Sequence, residues 1–181
     1  MELYAEGGFE HTTVAEIAAR AGLTERTFFR HFADKREVLF SGAVAFREFL
    51  VAEVDVAPPD VPPLEVVTAA FSSASDAFFE ERRDLVRGRQ AIIDANVELQ
   101  ERERIKMASV ASALADALHL RGVGEPAAGL AAEAGVVVFT IAFDEWVRAA
   151  GGTTLSERIW ALIEELRALT AASAPGARHR R

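Results

Sequence analysis

Between Thr24 and Lys35 the chain gathers Glu25, Arg26, Thr27, Arg30, His31 and Lys35 in one short stretch. These side-chain types can read or hold nucleic acid. Arginine donates to guanine O6 and N7, glutamate accepts from cytosine N4, and threonine meets a thymine methyl group or a phosphate. Lys35 and the amides at helix N-termini suit phosphate positioning. Helical spacing puts Glu25, Arg26, Thr27, Arg30 and His31 on an outer edge and leaves Phe28 and Phe32 to pack inward. Residues 20–36 hold five basic and two acidic side chains, a local charge of +3 within a chain of net charge -8. The remaining residues therefore carry -11. A small basic patch on an acidic body suits a DNA-binding head. On charge alone a salt-bridged, solvated face is the favoured reading.

The elements that must position these residues are legible. Thr13 and Glu16 have the spacing of a capping box, which starts a helix at Val14. Val14, Ile17, Ala18 and Ala21 give that helix an apolar face. Gly22 can end it in the left-handed conformation, and Thr24 can cap a second helix from Glu25 to Phe32. Two short helices joined by a tight glycine turn have helix-turn-helix geometry, with the second helix available to a major groove. Ordinary helical hairpins share these caps and spacings, so the pattern alone leaves both readings open.

Around this pair, residues 2–7 read as a short helix, and Asp34 as the cap of a long helix from Lys35 to about Val54. The stretch DVAPPDVPP at 55–63 reads as a loop, because its prolines cannot continue a helix. Further helices are expected at about 63–80, 82–95, 97–119, 126–150 and 154–170. VVVFTIAFDEWV within 136–147 is rich in β-branched residues, but its length and flanking alanines favour a buried helix. The expected fold is all-α, with a three-helix head over 1–42, a helical body over 43–171 and a flexible tail over 172–181.

Other functions find little support. Cysteine is absent, which excludes disulfides and thiolate metal sites and makes an intracellular protein the simplest expectation. The first residues lack the basic lead and apolar core of a signal peptide, and no apolar run is expected to approach the ~20 residues that span a membrane. The histidines at 11, 31, 119 and 179 lack metal-ligand spacing. No Walker-type phosphate loop is present, and no serine triad can be assembled from sequence order. Neither an enzyme, a metal nor a cofactor is expected.

The run FEHTTVAEIAARAGLTERTFFRHFADKREVLF closely resembles the head of tetracycline-repressor-like (TetR family) bacterial regulators. The likeness lies in Thr-Val-x-x-Ile-Ala-x-x-Ala-Gly, Thr-Phe-Phe-x-x-Phe and Asp-Lys-x-x-Val-Leu, and it extends over residues 2–50. It implies an all-helical homodimer that binds a pseudopalindromic operator, most often as a ligand-responsive repressor in the bacterial cytoplasm. It also implies a first helix starting ahead of the position of Glu2. Thr13 then falls among the DNA-backbone contacts, Thr24 to His31 forms the recognition helix with its cap, and Lys35 matches the family's lysine. Phe29 stands where many relatives have a phosphate-binding tyrosine. Phenylalanine has no hydroxyl to donate, so Phe29 reads as packing and Arg30 or His31 as the substitute. The alternative is a helical ligand-binding or protein-interaction module without sequence-specific DNA binding.

LVRGRQAIIDANVELQERERIK and AGVVVFTIAFDEW resemble the bodies of actinobacterial relatives. The family pattern implies an effector, apolar or amphipathic, among the fifth to eighth helices and a dimer seam on the eighth and ninth. Gln90, Asp94 and Asn96, polar beside apolar neighbours, are pocket candidates. Val136, Phe139, Phe143 and Trp146 suit pocket or core, and Leu155, Ile159, Leu162, Ile163 and Leu166 form a stripe for body or dimer. Arg87 and Arg89 read as solvated charge, with contact to an anionic effector as the alternative.

Overall fold

Local hydrogen bonding sets the first turns of the chain. Helix α2 (Val14–Arg20) starts where the Thr13 hydroxyl accepts from the Glu16 amide at 3.2 Å, while the Glu16 carboxylate accepts from the Thr13 amide at 2.7 Å. It ends at Gly22, whose φ of 68° lies in the left-handed region. There the Leu23 and Gly22 amides donate to Ala18 and Ala19, so the last carbonyls are not orphaned. Helix α3 (Glu25–His31) begins with the Thr24 hydroxyl accepting from the Thr27 amide at 3.2 Å. With α1 (Glu2–Gly7) these make a three-helix, helix-turn-helix head. The computed structural model describes residues 2–171, and among them all regular structure is helical. The tail expected at 172–181 lies outside the described residues.

The long helix expected from Lys35 is not continuous. Asp34 does act as a cap, but of a single 3-10 turn over Lys35–Val38, where its carboxylate accepts from the Arg36 and Glu37 amides. The chain then bends through Ser41 and Gly42 before α4 (Ala43–Val56) begins. The reason is a division of labour among buried side chains. Leu39 and Phe40 enter one core, whereas Phe46, Leu50 and Val54 enter another. One straight helix would align Leu39 with Phe46 and Leu50 on a single face.

The body follows as α5 (Pro63–Phe78), α6 (Arg83–Asp94), α7 (Val97–Leu120), α8 (Ala127–Arg148) and α9 (Leu155–Ala171). Pro63 sits at the first position of α5, where its missing amide costs nothing. Helix α5 is central and packs on α4, α8 and α9. Phe71 stacks on Phe139 with ring centres 4.7 Å apart, and Phe46 joins them at 5.6–6.2 Å. Trp146 is fully buried, and the stripe Leu155, Ile159 and Ile163 closes the core from α9. One membrane expectation needs correcting: α8 is long and apolar enough to cross a bilayer by length and composition. Its apolar residues are largely spent inside the protein, where Val136, Val138, Phe139, Ala142, Phe143 and Trp146 are all buried.

Helices α5 and α8 approach closely at Gly135. A Cβ there would collide with Cγ1 of Val67, a fully buried and stiff β-branched side chain. Gly135→Ala is therefore expected to destabilise by about 1–3 kcal/mol through overpacking. Thermal denaturation should show a much smaller loss when the same change is made in a Val67→Ala background.

A second, smaller core joins head to body: Tyr4, Phe9, Leu39 and Phe40 pack with Ile93 of α6 and Leu99 of α7. The Tyr4 hydroxyl donates to the Lys35 carbonyl at 2.6 Å. Burial, and then the charge of Asp34, push its pKa up to about 12. The unfolded chain releases this proton nearer pH 10, so the neutral-tyrosine contribution is complete below pH 10 and is lost as pH rises through about 12. Tyr4 is the sole tyrosine. Tyrosinate absorbance should thus titrate late in the folded protein, and Tyr4→Phe should flatten the fall in stability across that window.

Candidate nucleic-acid interface and adjoining cavity

Helix α3 exposes Glu25, Arg26, Arg30 and His31 to solvent along one edge, with Thr27 half-buried beside them. Phe28 is buried and its ring lies 5.2 Å from that of Phe32, so this pair anchors the helix from behind. Arg30 reaches to 3.4 Å from Nε2 of His31, which orients the two cation-capable side chains together. The packing role read for Phe29 is not what the structure shows. Its ring is 55% exposed and touches Phe28 only edge-on. Phe28 and Phe32 already fill the inward positions one helical turn apart, so their neighbour must point outward. Phe29 and exposed Leu23 therefore add apolar surface of the kind that meets thymine methyl groups.

The basic patch is smaller than the residue count indicates. Arg20 is paired with Glu2 at 2.8 Å and Glu6 at 3.5 Å. Arg36 binds Asp34 at 2.7 Å and reaches Glu98 of α7 at 3.3 Å. Hydrogen bonding from Arg36 holds the Asp34 carboxyl below the usual carboxylate range, with help from the Arg36 and Glu37 amides. Lys35 has a different position from the phosphate contact expected of it. Its Nζ donates to the carbonyls of Phe9, Glu10 and Thr12 at 2.7, 3.0 and 3.1 Å, which uses all three of its protons. It also lies 4.6 Å from the Phe9 ring centre. Arg26 and Arg30 are thus the cations left on the α3 edge, unpaired with any carboxylate among the described residues. Thr13 and Thr24 are exposed but occupied as caps, and the Thr13 hydroxyl also donates to Glu16 at 2.9 Å.

A cavity of about 850 Å³ opens where the head meets the body. Its floor includes Phe46, Phe79, Phe139 and Phe143, and part of its wall is the connecting segment 38–44. Of the pocket candidates read from sequence, Gln90, Phe139 and Phe143 line it, whereas Asp94, Asn96, Val136 and Trp146 do not. Asp94 is exposed and acts indirectly, accepting from Gln90 Nε2 at 2.9 Å. Gln90 is only 5% exposed and also donates to Glu103 at 3.2 Å.

Sequence reading misses Arg102 and Lys106 and names Arg89 only as an anion contact or solvated charge, yet these three link the cavity to the head. Arg89 donates to the Leu39 carbonyl at 2.8 Å, pairs with Glu103 at 3.0 Å and lies over the Phe40 ring. Arg102 pairs with Glu37, and Lys106 stands 3.8 Å from the same carboxylate. The i, i+4 spacing of Arg102 and Lys106 was the available signal, since it puts both on one face of α7. Arg83 and Arg87 instead donate to carbonyls at the end of α8, Trp146 and Ala149 for Arg83, Val147 and Ala149 for Arg87.

The chain is thus a capped helix-turn-helix head seated on a helical body with a cavity at the junction. Residues 1–41 match the family model for bacterial regulatory proteins of the tetR family. Over 71 residues the chain is 42% identical to the HTH-type transcriptional regulator TcmR of Streptomyces glaucescens. That match covers 39% of this chain and spans about a third, 31%, of the curated relative. Over its whole length the chain shares its fold with the Thermus thermophilus FadR, a TetR-family repressor solved with lauroyl-CoA. The TM-score is 0.58 at 21% identity, covering 100% of this chain and 95% of that one. The head over residues 1–41 is thus similar to that family, and the whole chain has the fold of the FadR structure.

The two kinds of basic residue should separate experimentally. Lys35→Met is expected to cost roughly 1–3 kcal/mol of stability through the carbonyls it strands, with little change in the salt dependence of DNA binding. Arg30→Gln should leave stability nearly unchanged and reduce the log–log salt slope by about one. Fluorescence anisotropy of a labelled duplex over a salt series, with thermal denaturation of each variant, reads both.

Proposed function

We propose that the protein is a ligand-responsive transcriptional repressor of the bacterial cytoplasm, binding a pseudopalindromic operator as a homodimer. In this reading α3 enters the major groove, with Arg26, Glu25 and Thr27 at base edges. The two heads of the dimer would engage half-sites about 34–36 Å apart. Arg30 and His31 serve phosphate in place of the absent tyrosine hydroxyl at Phe29, and the N-terminal amides of α2 and α3 flank the DNA backbone.

One observation supports ligand response above all: segment 38–44 belongs both to the cavity wall and to the connection between head and body. An occupant that prefers one position of that segment shifts the population of head orientations, and operator binding shifts with it. The FadR structure contains lauroyl-CoA, and the aromatic floor here suits an apolar or amphipathic effector. Selection from a random-sequence duplex library tests the DNA half of the reading. Enrichment of a two-fold-related site that Arg26→Ala abolishes is expected. Absence of any enriched site would favour a helical ligand-binding module instead.

Helix α8 supplies the surface for dimerisation. Leu130, Val137 and Ile141 are 68%, 55% and 46% exposed and lie along one face of the helix. Such a stripe of apolar side chains at solvent fits a helix–helix seam. Val137→Glu with Ile141→Glu should convert a dimer to a folded monomer in sedimentation equilibrium, and DNA affinity should fall with it. A dimer of undiminished affinity in that variant would refute the α8 seam.

A further inference from the structure

The cavity is electrostatically unlike the chain that contains it. The protein carries a net charge of -8, yet the cavity is lined by Arg47, Arg82, Arg89, Arg102, Arg104 and Lys106 against the carboxylates of Glu103 and Asp144 alone. Some of this charge is already balanced. Arg89 is paired with Glu103, and Arg102 and Lys106 share Glu37 behind the wall. Asp144 is itself paired with Arg148. Arg47, Arg82 and Arg104 have no carboxylate partner among the described residues. Arg47 is half-buried, and the neutral hydroxyl of Ser109 accepts from it at 3.3 Å.

Each of the three unbalanced cations lies within three residues of an apolar lining residue. On α4, Phe46 lines the floor and Arg47 follows it. At the turn before α6, Phe79 lines the floor and Arg82 follows three residues later. On α7, Arg104 precedes the lining residue Met107 by the same spacing. Each segment thus brings an apolar surface and a cation to the same cavity. A fully apolar occupant would desolvate the half-buried Arg47 without giving it a charged partner, which is unfavourable, and would leave the exposed Arg82 and Arg104 unused. A cationic occupant would be repelled.

We propose that the cavity accepts an amphiphile with an anionic head group, its apolar part on the phenylalanine floor and its anion among Arg47, Arg82 and Arg104. This deepens the reading of the cavity as the effector site and rests on it. Calorimetric titration of the whole protein with decanoate, decanol, decyltrimethylammonium and acetate, each below its micelle concentration at one low ionic strength, tests it. Decanoate is expected to bind about tenfold or more tightly than decanol, the scale of one charge-assisted hydrogen bond. Acetate should not bind measurably, and decyltrimethylammonium should bind weakest of the ten-carbon probes. In a protein carrying Arg47→Gln, Arg82→Gln and Arg104→Gln, checked for an unchanged helical spectrum, the affinity for decanoate should fall to that for decanol.

Decanol binding as tightly as decanoate would overturn the anionic head group while leaving an apolar effector site standing. So would a decanoate preference that survives the triple substitution. Acetate binding as well as decanoate would reduce the site to an anion patch and overturn the amphiphile. If none of the four binds, both this proposal and the effector reading of the cavity fail, whereas the operator selection, which reads the head alone, is untouched.

Discussion

Leu39 and Phe40 reach across from the end of the head to Ile93 and Leu99, and the rest of the architecture is arranged around that contact. Three short helices cannot enclose an apolar core of their own, since so small a unit buries too little surface. The head is therefore completed by two body side chains. To make the contact the chain must turn at Ser41 and Gly42 and so forfeits the straight helix that its composition would otherwise favour. The same turn brings the connecting segment against α6 and α7. There Arg89 holds the Leu39 carbonyl, and the cavity opens beside it. Head position, junction packing and cavity shape are consequently one problem for this chain.

Charge in the head is used largely for construction. Arg20 ties α2 to α1, Lys35 gathers three carbonyls of the loop before α2, and Arg36 holds the capping carboxylate and reaches α7. Surface pairs of this kind contribute little individually, typically below about 1 kcal/mol. The lysine differs because the backbone oxygens it serves have few other donors available. What remains for an external polyanion is concentrated on α3, which aligns the uncommitted charge with the side chains best suited to base edges.

Local signals proved readable wherever the deciding partner lay within four residues. The capping box at Thr13 and Glu16, the Thr24 cap and the glycine turn all appear in the structure as their spacing predicts. So do α5 to α9, within about two residues at either end. Errors came where the partner was remote. Nothing near Lys35 in sequence announces that Phe9, Glu10 and Thr12 will surround its amine, and nothing near Leu39 announces Ile93. Phe29 is a related case: without a hydroxyl it reads as packing, and only the third dimension shows that Phe28 and Phe32 already fill the inward positions. Gln90, Phe139 and Phe143 were legible as cavity residues through their mixture with polar or apolar neighbours. Asp94 shared the signal but lies one contact behind Gln90.

The burial of Trp146 has an optical consequence. The chain has two tryptophans, and they occupy opposite environments. Trp146 is sealed from solvent, with its ring 6.1 Å from Phe143 of the cavity floor and the Arg83 guanidinium 4.6 Å above it. Trp160 is 38% exposed and donates to the Ser72 hydroxyl at 3.2 Å, on the α5–α9 side. Their emission therefore divides into a component from an apolar site and one from a hydrated site. The first adjoins the cavity wall through a single ring and the second does not. The fold contains, without added label, a fluorophore placed to sense repacking of the floor and another that can serve as its internal reference.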